Sequence, residues 1–173
     1  SLSALKDIEK YDLSILRTAM RMIPQRTDNN DHKTIAKAVI SAFAEKLALD
    51  DRDNKIDYQV KHDFLQTYTY FVLNSPKDEI QGYVKPFIDN FNSSESIADL
   101  CQEFVLTEDK LNTYDNFWFV WNAFKEKIFD ICKEGDERWY VSKIVKSYLF
   151  ATVPWKESAK EWHSLKDSNK RFF

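Results

Sequence analysis

Arg26 and His32 come nearest to a reactive pair in this chain. Five residues, Thr27-Asp28-Asn29-Asn30-Asp31, separate them. A histidine can pass a proton and an arginine can hold a developing phosphate charge, so the pair points to cleavage of a phosphodiester. Other constellations are missing. Gly82 and Gly135 are the only glycines, so neither a phosphate-cradling loop nor a dinucleotide fingerprint can be built. His32, His62 and His163 are far apart, and no His-Glu-x-x-His or Cys-x-x-Cys spacing exists, which gives no expected metal or cofactor. Asp51-Arg52-Asp53-Asn54-Lys55 opens like a calcium loop, but Lys55 takes a ligand position and Ile56 replaces the turning glycine. It reads as a solvated acidic turn. Cys101 and Cys132 fall within apolar helical patterns, which makes them buried free thiols of a reducing, cytoplasmic compartment.

The second chemical feature is aromatic. Phe117-Trp118-Phe119-Val120-Trp121 puts bulky residues all round one helix, which normally means central burial. A tryptophan at the edge of such a cluster can instead anchor a partner, and Trp118 is the candidate. Trp139, Trp155 and Trp162 accompany the lysines that dominate the chain from Arg138 onward. Bases of single-stranded nucleic acid could stack there with lysines on phosphates. Lysines snorkelling over a packed core explain the same residues more simply, and a net charge of −3 provides no basic field. Protein is therefore the expected partner.

The elements that must position these residues are helices. In 173 residues, 43% hydrophobic and 31% charged, average usage would give roughly a dozen glycines for tight turns. Two glycines favour helices joined by short polar loops. A first helix is expected over Ala4–Met22, with Ser3 as cap; Leu5, Ile8, Ile15, Ala19 and Met22 line one side, and Leu13, Leu16, Met20 and Ile23 widen it. Asp31 is the candidate cap of a second helix with Ile35, Val39, Phe43 and Leu47. A third carries Ile56, Val60, Phe64, Tyr68 and Phe71. Ser75-Pro76 reads as a capping serine and a first-turn proline for a fourth, with Ile80, Tyr83, Val84, Phe87, Ile88 and Phe91, which Pro86 should kink or split. The fifth uses Ile97, Leu100, Cys101, Phe104 and Val105. The sixth uses Tyr114, Phe117, Trp118, Trp121, Phe124 and Ile128, ending near Gly135. A seventh is expected from Asp136 and an eighth from Pro154.

Ile80, Ile97 and Tyr114 recur at intervals of 17 residues, about one helix plus a loop. The fold class is thus all-α: antiparallel helical hairpins forming an irregular α-solenoid of HEAT or TPR type, or a helical bundle, with about eight helices. Residues 1–173 are expected to form a single all-helical domain, with 1–75 and 76–173 as candidate sub-units. Ser1-Leu2-Ser3 lacks an initiator methionine, and the chain stops at Phe172-Phe173. Both suggest a fragment excised from a larger protein, whose truncated apolar edges could drive self-association. No apolar run approaches the ~20 residues needed to span a bilayer.

Two family resemblances add expectations. Arg26 and His32 resemble the Arg-(x)4–6-His signature of HEPN ribonucleases, all-α domains, which would make His32 the acid/base and Arg26 the phosphate support. Trp162-His163-Ser164-Leu165-Lys166 with Phe172-Phe173, and Phe117 through Phe124, resemble the helical regions that follow the ATPase core in bacterial STAND-type NTPases, some of them anti-phage defence proteins. That resemblance implies a sensor or scaffold region with no ATP site and no catalytic residue of its own. The leading expectation is a non-catalytic protein-interaction module that binds other domains of its parent or another protein. The alternatives are the ribonuclease and the single-stranded nucleic-acid binder.

Overall fold

The computed structural model describes residues 11–24, 27–49, 55–91, 94–111, 113–131 and 155–168. Among these residues every regular element is an α-helix: α1 (Leu13–Met22), α2 (Asn30–Leu47), α3 (Tyr58–Asn74), α4 (Lys77–Asn90), α5 (Ser94–Leu111), α6 (Tyr114–Ile131) and α7 (Trp155–Ser168). The helix expected from Asp136, with Gly135 and Cys132, lies outside the described residues. The chain divides into two compact units, Ser1–Phe91 and Asn92–Phe173.

Local capping chemistry moves several helix starts. The first helix does not run unbroken from Ala4 to Met22. Asp12 is extended, and its side chain accepts the Ile15 amide at 3.0 Å, so a new helix starts at Leu13. Ser3 and residues 4–10 lie outside the described residues. Asn29, not Asp31, caps α2: its side-chain oxygen takes the amides of Asp31 at 2.8 Å and His32 at 3.3 Å. Asp57 caps α3 through the Val60 amide. Ser75 is not the cap of α4. Its hydroxyl donates backwards to the Phe71 carbonyl at 2.7 Å, closing α3 instead. Pro76 precedes the helix, and Lys77 is its first residue. Pro86 does not split α4, which runs through it. The proline removes the donor for the Gly82 carbonyl, but Gly82 is exposed, so water can take its place.

In Ser1–Phe91, α1 packs against α2 and α3, and α4 packs against α2 and α3. Ion pairs set the directions. Lys33 in the first turn of α2 reaches Glu79 in the first turn of α4 at 2.6 Å, so these two helices run parallel. Arg17 and Arg21 of α1 both reach Asp63 of α3, at 3.5 and 3.2 Å. Tyr68 meets Phe87 and Phe71 meets Tyr83, which sets α3 antiparallel to α4; the α1–α2 and α3–α4 pairs lie side by side.

An aromatic core joins α2, α3 and α4. Phe43 and Phe64 stack face to face at 3.6 Å and 3°. Tyr68 leans on Phe87 at 4.7 Å, and Phe71 meets Tyr83 edge-on at 4.8 Å. Edge and tilted contacts of this kind add roughly 0.5–1.5 kcal/mol to simple burial. The α1 face is the reverse of one expectation. Leu16, Met20 and Ile23 are buried, whereas Ile15 is 47% and Met22 79% exposed. Ten residues are too few for periodicity alone to choose between the two overlapping stripes, and packing against α2 and α3 chooses.

In Asn92–Phe173, α5 packs against α6. Ile97, Leu100, Cys101 and Phe104 of α5 are buried, as are Phe117, Val120, Trp121, Phe124 and Ile128 of α6. The latter helix is not buried all round. Asp115, Asn122, Glu126 and Asp130 give it an exposed polar edge, while Trp118 and Phe119 are half-buried. Glu161 of α7 joins α6: one carboxylate oxygen accepts from Trp121 Nε1 at 3.3 Å and from Lys125 Nζ at 2.8 Å.

Candidate functional site

His32 lies half-buried in the first turn of α2, where the Asn29 cap fixes its backbone. Its ring Nδ1 is 3.1 Å from the Thr27 hydroxyl, which also accepts the Asn29 amide at 3.1 Å. This turn is a local knot of caps. Arg26 lies outside the described residues, so the expected catalytic pair is represented by its histidine alone.

The same turn borders a cleft of about 370 Å³. Thr27 and Asp28 form one lip, and the end of α3 with Ser75 and Pro76 forms another. Phe71 and Tyr83 supply aromatic surface, and Glu79 and Asn74 supply polar groups. The cleft exists because the α1–α2 turn, the α3–α4 turn and the starts of α2 and α4 share one end of the paired hairpins.

Hydrogen bonding at the cleft is lopsided. The Ser75 hydroxyl is spent on Phe71, and the Asn74 amide nitrogen donates to the Tyr70 carbonyl at 2.9 Å. The Tyr83 hydroxyl points at Glu79 Oε2, 3.5 Å away. Burial, and then the neighbouring Glu79 charge, push the Tyr83 phenol up to about 12, so it stays protonated. The Lys33 ammonium is held above its ordinary value by its hydrogen bond to Glu79, with Asp28 and Asp78 adding their fields. Glu79 is therefore engaged on both oxygens, by Lys33 on one and the Tyr83 hydroxyl on the other.

The tryptophans fall into different places. Trp118 of α6 is half-buried, edge-on to Tyr114 at 5.9 Å. Its indole N–H is buried and finds no acceptor among the described residues. Such a donor costs on the order of 1–3 kcal/mol when left unmet. Trp162 is half-buried on α7. Trp139 and the side chain of Trp155 lie outside the described residues. Trp121, not one of the candidates, is fully buried with its N–H on Glu161.

Sequence reasoning missed the cleft. Glu79 reads in sequence only as a charge complementing a helix start, and Asp28 only as a loop residue. Lys33 and Glu79 are 46 positions apart, and nothing local marks them as partners. Among the described residues, no group of three or more His, Cys, Asp or Glu side chains could hold a metal ion, and no helix is long and apolar enough to cross a membrane. No protein-family model matches the chain, and no curated protein matches it significantly.

Proposed function

We propose that this chain is a non-catalytic helical interaction module, the sensor or scaffold part of a larger cytoplasmic bacterial ATPase in signalling or phage defence. The observation that carries the reading is the pairing of helices in Ser1–Phe91, with α2 parallel to α4 and α3 antiparallel to both. In an up-and-down bundle, neighbours around the ring alternate in direction. Side-by-side hairpins with like helices adjacent are the layout of stacked repeats and also of bundles with crossover connections, and both serve as interaction scaffolds. Repeat arrays act by presenting side-chain faces to partners. In Asn92–Phe173, the large half-buried ring of Trp118 is the candidate anchor for a partner.

Reconstitution tests the reading. The chain is titrated calorimetrically with the separately purified remainder of its parent protein, as wild type and as Trp118→Ala with helicity checked by circular dichroism. Loss of a tryptophan anchor costs about 2 kcal/mol or more, or at least roughly thirtyfold in affinity. No binding by the wild type, or a parent without a nucleotide-binding domain, overturns it.

A further inference from the structure

We propose that Met22 is a redox modification site, the thioether that a peroxide converts to the sulfoxide while the fold stays intact. This does not rest on the scaffold reading. The chain holds two methionines, two residues apart in α1, and that spacing turns them to opposite sides of the helix. Met20 is wholly buried, whereas Met22 is 79% exposed. An oxidant must touch the sulfur to react, so access separates the two. The Cys101 thiol is buried and does not compete.

The step is a two-electron transfer. A sulfur lone pair attacks one oxygen of hydrogen peroxide, the S–O bond forms as the O–O bond breaks, and the departing hydroxide takes the remaining proton and leaves as water. Sulfur is oxidised and the peroxide reduced. What holds α1 in place is untouched. Leu16, Met20 and Ile23 supply its buried side, and the Ile23 amide closes its last turn on the Met20 carbonyl at 3.2 Å. What α1 presents does change. Ile15, seven residues before Met22 and on the same face, is also exposed, so the two form an apolar edge. The sulfoxide is polar and makes one end of that edge a hydrogen-bond acceptor.

The full chain is treated with hydrogen peroxide, quenched at intervals with catalase and digested with trypsin. Cleavage after Arg17, Arg21 and Arg26 puts the two methionines in separate peptides, residues 18–21 and 22–26, so mass spectrometry reads each alone. Met22 should gain its oxygen at least about tenfold faster than Met20, whose sulfur reacts only in molecules where α1 has opened. In concentrated urea the two rates should converge. The chain oxidised at Met22 should keep its circular dichroism spectrum and its urea midpoint, and Met22→Leu should abolish the fast uptake of oxygen by methionine. Equal rates in the folded chain overturn the proposal, as does a rate difference that survives in urea, which would place its cause in the local sequence. Lost helicity or a lowered midpoint after oxidation of Met22 alone overturns it too.

Discussion

Tyr68→Phe removes one oxygen from the centre of the first unit and gives a measurable loss. The Tyr68 ring is fully buried, and its hydroxyl donates to the Tyr83 carbonyl at 3.0 Å, tying α3 to α4. That carbonyl lies inside α4 and keeps its place in the helical ladder, so no acceptor is stranded. The loss is then that of one net hydrogen bond, about 1 kcal/mol. For a cooperative unit the size of Ser1–Phe91, this lowers Tm by about 4–8 °C. Tyr68→Ala also removes a ring packed on Phe87 at 4.7 Å and should cost about 3–5 kcal/mol. Urea unfolding followed by far-ultraviolet circular dichroism, with equal slopes required for a valid comparison, separates the two. A Tyr68→Phe variant as stable as the wild type, or as unstable as Tyr68→Ala, refutes the assignment of a hydrogen-bonded tie between the helices.

Alkali supplies a second test. Burial holds the Tyr68 phenol well above its ordinary value and raises Tyr83 to about 12, whereas both ionise near 10 when unfolded. Stability is fully present below pH 10 and falls between 10 and 12, by up to about 1.4 kcal/mol per pH unit for each tyrosine; Tyr68→Phe should flatten that fall in urea midpoints. Phe43→Ala, which breaks the face-to-face stack with Phe64, should cost about 3–5 kcal/mol by the same unfolding assay. Asn29→Ala should cost about 1 kcal/mol and speed amide hydrogen exchange in the first turn of α2. On the non-catalytic reading, wild type and His32→Ala leave labelled RNA equally intact on a denaturing gel; cleavage by the wild type alone would establish the ribonuclease instead.

Helical periodicity made most of the interior readable. Val39, Phe43 and Leu47, then Phe64, Tyr68 and Phe71, then Ile80, Tyr83, Val84 and Phe87 are expected on inward stripes and are buried. What escaped is set by contacts no window of sequence contains. Asp12 opens α1 because one side-chain oxygen reaches an amide three residues on, although the apolar pattern runs past it. Ser75 precedes a proline and resembles a cap, yet its hydroxyl turns to the preceding helix. The cleft has no motif at all: Asp28, Phe71 and Glu79 meet only after two hairpins pair, and pairing is a property of the whole unit.

The α3–α4 connection has a consequence for how this chain can change. Only Ser75 and Pro76 separate Asn74 from Lys77. Deleting either would force one helix to surrender a residue to the bend, drawing Leu73 or Ile80, both fully buried, away from its neighbours. The joint is therefore at its minimum length. Evolution or engineering can lengthen it and absorb the slack outside, but cannot shorten it without unwinding what it joins.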